Sequence, residues 1–544
     1  MSTVRLSNLD VARLARLRPI EDVAADAGLG GSDFERLGAN KGKLTWGGVK
    51  RLTASPTKGK LILVTAMTPT PAGEGKTTVT VGLSQGLNRI GKRAVAAIRE
   101  PALGPVFGVK GGACGGGYSQ VLPIEDINLF FTGDFPAVAA AHNLLSALVD
   151  AHIQNGLEPA IDIRRVFWPR TVDMNDRALR DIVVGLGGKA NGYPREDGFV
   201  ITPASEVMAV LGMSTSIADL KARLGRIVVA TTPKGVPVTA GQIGAVGPMA
   251  ALLVGALRPN LVQTTEGHLA TVHCGPFANI AHGTSSVVAT NCALGLADYV
   301  VTEGGFASDL GAQKFLSLVA PQLDAPPSGI VLVATVRALK HHGGGDLGAG
   351  LANLDAHLAH LRQYGLPVLV AVNKFDDDDP ADLEAVRSYA GDAVVCDPWS
   401  SGGAGCEDLA QAVAAWPTAD GFQPIVPSEG SFEDKLEAIV TKVYGGEGFT
   451  LSEAAKSKVE WLRKHGFGDL PVCVAKTQSS LSDDPARLGR PSGFTVNFRE
   501  ARLSAGAGFV VFVAGETMLM PGLGPKAAAY RIDVDDDGQI SGMY

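Results

Sequence analysis

Short, continuous apolar runs recur along this chain, and segments with helical periodicity separate them. Such a run is typical of a strand that is buried on both faces of a parallel sheet. Alternation of strands and helices predicts the α/β class, with a mostly parallel sheet and helices on both sides. The runs that we predict as strands of this kind are Leu61–Met67, Arg93–Ile98, Arg226–Ala230, Leu296–Thr302, Gly329–Thr335, Val368–Val372 and Asp392–Cys396.

The first predicted strand leads into a glycine-rich turn and then into a predicted helix over 76–87. The turn is close to the Walker A template G-x-x-x-x-G-K-[ST], with Gly75, Lys76 and Thr77 in place and Thr70 where the first glycine should stand. Backbone amides and the positive helix end favour a phosphate there, while the lysine can reach β/γ oxygens and Thr77 can bind Mg²⁺. The predicted nucleotide-binding residues are Thr68, Pro69, Thr70, Pro71, Ala72, Gly73, Glu74, Gly75, Lys76, Thr77 and Thr78.

The length of the chain, 544 residues, exceeds what one hydrophobic core usually organises. We predict a large nucleotide-binding P-loop domain over residues 1–355, which holds the mostly parallel sheet. Two smaller α/β domains follow, a middle one over 356–460 that contributes to the ligand pocket and a C-terminal one over 461–544. The last is predicted from the strands Val472–Ala475 and Gly508–Val513 and the loops between them.

Net charge and cysteine content indicate which partners and which cellular compartment to expect. The net charge is -7 at pH 7 and no long run of Lys or Arg occurs, so we expect no nucleic-acid partner. The six cysteines form no C-x-x-C pair, which favours reduced thiols and a cytoplasmic location. The N-terminus has no basic-then-apolar signal. The longest apolar stretch, Phe135–Ile153, contains two histidines and an aspartate, so it predicts a buried helix and no membrane span.

Further polar residues follow the second predicted strand. Arg99 and Glu100 come directly after it, and ligands of open α/β sheets bind beyond the carboxyl ends of strands. We therefore expect Arg99 near Lys76, where its guanidinium can offer two parallel donors to a carboxylate or an acyl phosphate. A surface salt bridge is the alternative for Arg99. Two short glycine-rich segments then flank Ala113–Cys114. They predict a loop that approaches a ligand closely or moves as a lid.

These motifs resemble formate–tetrahydrofolate ligase, also called formyltetrahydrofolate synthetase, and the likeness runs through nearly the whole chain. Strings of this length are far more specific than a phosphate loop alone. The resemblance implies ATP-dependent ligation of formate to tetrahydrofolate, giving 10-formyltetrahydrofolate, ADP and phosphate through formyl phosphate. The segments that carry it are Thr68–Thr78, Arg99–Gly117, Glu125–Asp134, Pro259–Thr264, Gly275–Gly283, Ala297–Phe306 and Met520–Leu523.

The resemblance also implies roles for single residues. Lys76 and Thr77 would serve MgATP, with Thr77 on the metal, and Arg99 would hold formate and then formyl phosphate. Glu100 would lie beside the folate, and Asp134 matches a family carboxylate close to the reacting amine. A homotetramer and activation by potassium or ammonium are implied as well. The chemistry suits this set, because cations can neutralise the charge that spreads over the oxygens of a transferred phosphoryl group.

The pterin ring of the folate would need a flat apolar slot, and two aromatic residues match the family's pair for it. Phe375 and Trp399 each follow a predicted strand, and two rings over a heteroaromatic face suit offset stacking. Core packing is the alternative for both. The family usually carries Ala-Lys after this Trp, whereas Ser400–Ser401 stands here, and the loop between the two aromatic residues is a few residues shorter. Both departures bear on the shape of the pocket.

A rival function comes from Asn373–Asp376, which matches N-K-x-D, the guanine-reading motif of P-loop GTPases. A GTP-driven switch or metallochaperone is therefore the alternative. Against it, the motif lies roughly three hundred residues after the phosphate loop, and no clean D-x-x-G follows an intervening strand. A non-catalytic scaffold is a third class, and the intact Lys76, Arg99 and glycine-rich loop argue against it.

Other polar clusters carry less information. Glu125 and Asp126 can hold Mg²⁺ through water or orient an amine, and helix capping suits them equally. Asp533–Gly538 looks like the start of an EF-hand loop, but its twelfth position is Tyr544, so we predict a solvated turn. The remaining histidines and cysteines fit no standard transition-metal spacing, and we expect no such metal. They are His268, His273, Cys274, His282, His341 and His342.

Overall fold

The computed structural model describes residues 6–108, 114–417 and 421–543, and its largest feature is a 12-stranded sheet. The neighbours from Leu269–Val272 to Ala393–Cys396 are all parallel, and the opposite edge is antiparallel. The predicted α/β class with a mostly parallel sheet is confirmed. Across the sheet the strands follow the order Phe34–Arg36, Gly42–Leu44, Asn260–Thr264, Leu269–Val272, Ala94–Ile98, Tyr299–Glu303, Lys60–Ala66, Pro327–Ala334, Val368–Asn373 and Ala393–Cys396, with Gly115–Gly116 and Ser119–Leu122 attached beside Asn260–Thr264.

The central strand Lys60–Ala66 shows why its sequence is continuously apolar. Leu61 and Leu63 belong to one hydrophobic core, whereas Ile62 and Val64 belong to another on the opposite face of the sheet. Side chains alternate across a strand, so a strand covered on both faces needs apolar residues at every position. The loop that follows this strand therefore starts from a rigid, fully buried base.

The helices cover both faces of the sheet. The predicted helices at 76–87 and 135–153 are observed as Lys76–Arg89 and Asp134–Gln154. The α-helices are Asn8–Leu14, Ile20–Asp26, Trp46–Thr53, Lys76–Arg89, Leu103–Phe107, Ile124–Asn128, Asp134–Gln154, Glu206–Met213, Ile217–Arg226, Val246–Leu253, Val287–Leu294, Val336–His342, Leu347–Arg362, Pro380–Ala390, Pro398–Ser401, Glu407–Ala414, Phe432–Ala438 and Glu453–Lys464. Three π-helical segments are Ser308–Ala312, Phe315–Val319 and Ile439–Tyr444. The 3₁₀ turns are Arg177–Leu179, Lys189–Asn191, Thr202–Ala204, Ala320–Gln322, Ala404–Cys406 and Ala528–Tyr530.

Smaller sheets account for the remaining strands. The C-terminal part forms a four-stranded sheet in the order Gly448–Leu451, Thr495–Ser504, Phe509–Ala514 and Val472–Ala475. Two-stranded pairs are Arg170–Val172 with Phe199–Ile201, Ile182–Val184 with Arg195–Asp197, Val228–Thr231 with Pro237–Thr239, and Asp533–Val534 with Ile540–Ser541. The division of the chain at residues 355 and 460 stays a prediction.

One of the predicted strands does not join the large sheet. The run at 226–230 is observed as Val228–Thr231, and it pairs antiparallel with Pro237–Thr239. Its placement among the parallel strands was therefore wrong. A short apolar run indicates burial, but the nearby turn at Thr232–Gly235 closes a local hairpin that satisfies the same backbone groups.

The helix Lys76–Arg89 packs closely against residues 398–406 through two glycines. A Cβ atom on Gly82 would lie 2.6 Å from the Pro398 side chain, and one on Gly86 would lie 2.7 Å from the Cys406 carbonyl oxygen. Glycines four residues apart occupy one side of a helix, so together they let the two segments approach. The helix that begins at the glycine-rich turn is thereby fixed to the segment that carries Trp399.

We expect Gly86→Ala to destabilise the protein by about 1–3 kcal/mol, because the added methyl overpacks against backbone that cannot rotate away. This outweighs the gain of about 1 kcal/mol in helix propensity. Gly247→Ala is the matched control, since no atom lies within 4 Å of its added Cβ in the helix Val246–Leu253. Thermal unfolding should show a lower midpoint for Gly86→Ala and an equal or higher one for Gly247→Ala. Equal midpoints for the two variants would contradict this account of the packing.

Candidate active site

The loop over 67–75 joins the central strand to the helix Lys76–Arg89, and two of its glycines have left-handed backbone. Gly73 has φ +80° and Gly75 has φ +73°, a conformation that favours glycine. A Cβ on Gly75 would also lie 2.5 Å from the Asn373 side-chain nitrogen. The strand, loop and helix thus stand in the order that the phosphate-loop motif requires, with the helix N-terminus at the loop.

The side chain of Glu74 points into the protein and holds this loop together. Its carboxylate, 2% exposed, accepts hydrogen bonds from the Thr70 amide at 2.6 Å and from the Thr335 hydroxyl. Asn373 donates to the Glu74 carbonyl oxygen at 3.1 Å, and Arg337 donates to the Gly73 carbonyl oxygen. Glu74 was predicted among the nucleotide-binding residues, and its observed contacts are with the loop itself and its supports.

The first residue of the predicted set, Thr68, is anchored by buried histidines. Its amide donates to His357 Nε2 at 2.9 Å, which assigns the ring proton to Nδ1, 2.7 Å from the Ser308 hydroxyl. Burial lowers the pKa of His357 to about 4, so the ring is neutral at pH 7. Asn353 donates to the Thr68 hydroxyl at 3.1 Å, and His342 Nε2 lies 2.9 Å from the Thr68 carbonyl oxygen. The start of the loop is therefore fixed by neutral groups.

Glu303 brings the predicted cations together. It ends the strand Tyr299–Glu303, which lies between the strands that lead to Lys76 and to Arg99. Its carboxylate is 2% exposed, accepts a hydrogen bond from the Thr77 hydroxyl at 2.8 Å and lies 4.0 Å from the Arg99 guanidinium. The expected closeness of Arg99 to Lys76 is consistent with this arrangement, because the Glu303 carboxylate acts to raise the pKa of both side chains.

The charges around Glu303 favour an anion. Burial lowers the pKa of Lys76, the Glu303 carboxylate opposes that shift, and the nearby Arg99 adds to it. Burial likewise lowers the pKa of Arg99, with Glu303 opposing, although a guanidinium stays charged in proteins. Arg99 donates to the Pro276 carbonyl oxygen at 3.0 Å, while its Nε has no hydrogen-bond partner among the described residues. Lys76 and Arg99 share the Glu303 carboxylate, and the Glu74 carboxylate, which also opposes the shift of Lys76, lies 4.0 Å from Arg337, so three cations face two carboxylates.

Glu303 was missed by the residue-level prediction, although it lies in a segment that carries the resemblance. The available signal was a carboxylate at the end of a continuous apolar run, Leu296–Thr302, since such a position projects beyond the sheet. What the sequence did not reveal is that this late strand inserts between two early ones. That placement depends on the whole topology.

A second buried cluster surrounds Asp134, the first residue of the helix Asp134–Gln154. The Lys43 ammonium lies 2.8 and 3.0 Å from its two carboxylate oxygens and 2.6 Å from Asn260 Oδ1. Asn260 donates back to Asp134 at 2.8 Å. Burial raises the pKa of Glu100 well above its usual range, the Asp134 charge adds to the rise and Lys43 opposes it. Glu100 Oε2 has no hydrogen-bond partner among the described residues, which leaves that oxygen free for a ligand.

Two residues beside these clusters have strained backbone. Cys274 has φ +57° and Phe306 has φ +60°, and among the described residues they are the only non-glycines with positive φ. The Cys274 carbonyl oxygen accepts the Glu100 amide at 2.8 Å, and Phe306 follows Gly305, which packs against the Arg99 guanidinium. Such conformations cost about 1–3 kcal/mol each and concentrate at functional sites.

The two predicted aromatic residues have different surroundings. The Arg337 guanidinium lies over the Phe375 ring, 4.4 Å from its centroid, and the same arginine binds the Gly73 carbonyl oxygen. Trp399 is half-buried; its Nε1 donates to Asn8 Oδ1 at 3.1 Å, and a Cβ on Gly116 would lie 3.1 Å from its ring. The Phe375 ring therefore adjoins the loop at 67–75, and the Trp399 ring adjoins the glycine-rich segment that follows Cys114. Lys110 to Ala113 lie outside the described residues.

Comparison with known proteins decides the family. The family model described as Formate--tetrahydrofolate ligase matches residues 6–544. This chain belongs to the formate–tetrahydrofolate ligase family. Curated relatives of that name include the protein of Pseudothermotoga lettingae, 49% identical over 554 residues that cover 99% of this chain and 100% of the relative. The protein of Paracoccus denitrificans is 53% identical over 557 residues (99% and 100%), and that of Bacillus licheniformis is 50% identical over 556 (99% and 99%).

Membership of the formate–tetrahydrofolate ligase family argues against the GTPase alternative. Within Asn373–Asp376, Asn373 supports the loop through the Glu74 carbonyl oxygen, and the Lys374 ammonium lies 3.9 Å from the Asp397 carboxylate. These contacts give the first two motif residues structural partners.

The remaining clusters of this ligase-family chain have ordinary partners. Glu125 pairs with Arg13 at 2.7 Å, and Asp126 pairs with Lys41, both from the first turn of the helix Ile124–Asn128. The EF-hand-like segment is the turn of a small hairpin, where Asp535 accepts backbone amides at 2.8 and 3.0 Å. Among the described residues no group of three or more His, Cys, Asp or Glu side chains is arranged to hold a metal, and no helix is long and apolar enough to cross a membrane.

We expect Lys43→Met to destabilise the protein by about 3–5 kcal/mol, because Asp134 would remain buried without its cation. Lys41→Met is the matched control on the adjoining segment: its partner Asp126 is half-exposed, and such pairs contribute about 1 kcal/mol or less. Adding Asp134→Asn to Lys43→Met should recover part of the loss. Unfolding midpoints measure all three variants, and similar midpoints for Lys41→Met and Lys43→Met would refute the buried pair.

Proposed function

We propose that this chain ligates formate to tetrahydrofolate at the expense of ATP and forms 10-formyltetrahydrofolate, ADP and phosphate. The observation that carries this proposal is the shared contact of Thr77 and Arg99 with Glu303, beside Lys76, in a chain of this ligase family. Three groups suited to phosphate lie at one edge of the sheet, where ligands of α/β folds bind.

In the first step a formate oxygen attacks the γ-phosphorus of ATP, and the bond to the β-phosphate oxygen breaks as ADP leaves. Lys76 neutralises charge on the transferring group, and Arg99 orients formate through parallel donors. The backbone amides at the start of the helix Lys76–Arg89 bind the phosphates. The Thr77 hydroxyl and the Glu303 carboxylate are oxygen groups of the kind that would hold the Mg²⁺ of MgATP, which when bound would further neutralise the phosphate charge.

In the second step N10 of tetrahydrofolate attacks the formyl carbon of formyl phosphate, and phosphate leaves. The nitrogen gives up a proton as the new bond forms. Glu100 and Asp134 are the neighbouring carboxylates, and burial and the Asp134 charge raise the pKa of Glu100, which makes its carboxylate a stronger proton acceptor than an exposed one. Phe375 and Trp399 hold the pterin by stacking.

Several finer properties follow from the family resemblance and form part of the proposal. We infer a homotetramer, activation by potassium or ammonium and a cytoplasmic location. All six cysteines are buried thiols, which supports a reducing compartment.

We expect Lys76→Ala to abolish ATP-dependent formyl transfer without changing the fold, because the transferring phosphoryl group loses its cation. Lys50→Ala removes an exposed lysine from another helix and should leave turnover unchanged. The assay follows coupled release of ADP and formation of 10-formyltetrahydrofolate with all three substrates. Near-normal turnover of Lys76→Ala would remove the loop from the mechanism. Protection from thermal unfolding by ATP but not by GTP should exclude the GTPase alternative.

We expect Trp399→Ala to raise the KM for tetrahydrofolate by about one to two orders of magnitude, with a smaller change in kcat, because stacking and buried area are lost. Trp399→Phe is the matched variant: it keeps an aromatic face and loses only the N–H bond to Asn8, so its KM should rise less. Steady-state kinetics at saturating ATP and formate make the comparison. An unchanged KM in Trp399→Ala would place the tryptophan outside the folate pocket.

A further inference from the structure

A cavity of about 530 Å³ lies away from the groups that surround Glu303. It is bounded by the helix Glu453–Lys464 and the strand Thr495–Ser504 on one side and by residues 167–169 and 204–209 on the other. Its volume is within the range of small-molecule sites. The side chains that matter to its chemistry are Phe167, Trp168, Glu206, Lys458, Trp461 and Arg502.

The aromatic walls of this cavity are held in place by their polar atoms. Trp168 Nε1 donates to the His142 carbonyl oxygen at 3.1 Å, and its ring stacks on the His142 ring at 4.3 Å. Trp461 Nε1 donates to the Gly235 carbonyl oxygen at 3.0 Å. Both indole N–H groups are therefore satisfied, and the Trp461 ring also packs against His465 and Phe467, with centroids 4.6 and 6.2 Å apart. Since the two indoles are already fixed, a flat ligand would not have to order them on binding.

Lys458 is the uncompensated cation of the cavity. Its ammonium lies 4.2 Å from the Trp461 ring centroid and 4.9 Å from that of Phe167. No carboxylate lies within 4.0 Å of it among the described residues, although Glu500 is near enough to oppose the lowering of the Lys458 pKa by burial. A lysine that is partly buried against rings, with no close counter-ion, favours an anion that reaches it from the cavity.

The other charged groups of the lining are satisfied or neutralised. Arg502 and Glu500 form a two-point pair at 2.6 and 2.7 Å and cancel each other. Glu206 accepts the Gly506 amide at 2.7 Å, and burial raises the pKa of its carboxyl to about 7. His142 is buried, and its pKa is lowered to about 4, so it carries no charge at pH 7. At pH 7 the Glu206 carboxyl is therefore partly neutral, and Lys458 is the cation of the lining that has no close carboxylate.

We propose that this cavity binds a small planar aromatic anion, with its ring against Trp168 and Trp461 and its carboxylate, phosphate or sulfonate at the Lys458 ammonium. Phe167, 47% exposed, forms the mouth and closes over the ring. The site is separate from the one that holds ATP and folate in the proposed function. Ile280 and Ala281 line it, and they belong to the same loop as Pro276, whose carbonyl oxygen holds Arg99.

The test uses the full chain and 1-anilinonaphthalene-8-sulfonate, an aromatic sulfonate whose fluorescence rises in apolar sites. We expect one saturable site per chain that saturating ATP and tetrahydrofolate do not displace. Lys458→Met keeps the apolar stem and removes the charge, so it should weaken binding about tenfold or more and abolish the dependence on salt. Phe167→Ala, at the exposed mouth, should weaken binding without a change in the unfolding midpoint.

Lys456→Met is the matched control, because this exposed neighbour on the same helix pairs with Glu453 and lies outside the cavity. Its affinity for the probe should equal that of the unchanged protein. The proposal is overturned if Lys458→Met and Phe167→Ala bind the probe as tightly as Lys456→Met does. It is also overturned if ATP or tetrahydrofolate displaces the probe. Loss of formyl transfer in the unchanged protein would contradict the proposed function but leave this result intact.

Discussion

A buried carboxylate between two cations organises the candidate site. Glu303 is almost fully enclosed, yet it accepts the Thr77 hydroxyl and lies beside Arg99. Without it, Arg99 would lose its nearby carboxylate and Lys76 would keep only the influence of Glu74, and repulsion between the two cations in a medium of low dielectric constant would be opposed less. With it, the two cations are held near each other. The arrangement can thus exist before any phosphate arrives.

The sheet topology makes this arrangement possible. The strands that lead to Lys76 and Arg99 are adjacent in sequence but not in space, because Tyr299–Glu303 lies between them. All three run parallel, so their carboxyl ends meet at one edge. The loop at 67–75 is then secured by Arg337, which follows the next strand, and by Asn373, the last residue of the strand after it. Each functional group comes from a different strand end, and their register is fixed by the backbone ladder rather than by side-chain contacts.

Much of this could be predicted from the sequence where the physical signal is local. The continuous apolar run at 61–67 and the Gly75–Lys76–Thr77 turn define a strand, loop and helix, and these are observed. Thr70 in place of the template glycine is explained as well: its φ is not positive, so the position does not require glycine, and its amide is used by Glu74. Non-local facts were not accessible. Glu303 lies near Arg99, and Lys43 pairs with Asp134, although the residues of each pair are far apart in the chain. The periodicity of a sequence does not predict contacts of this kind. The strand Val228–Thr231 is a second example. Its apolar run predicts a strand but does not indicate which strand it pairs with.

The absence of side chains at Gly82 and Gly86 has a mechanical consequence. At Gly86 the helix backbone lies against the Cys406 backbone, and at Gly82 it lies against the Pro398 ring, so few flexible groups stand between the two segments to absorb a small displacement. If phosphate binding draws the start of the helix Lys76–Arg89 inward by a fraction of an ångström, residues 398–406 must travel with it. The indole of Trp399 would then register the arrival of nucleotide as a change in its own position. The glycine contacts thereby couple the start of this helix mechanically to the position of the Trp399 ring.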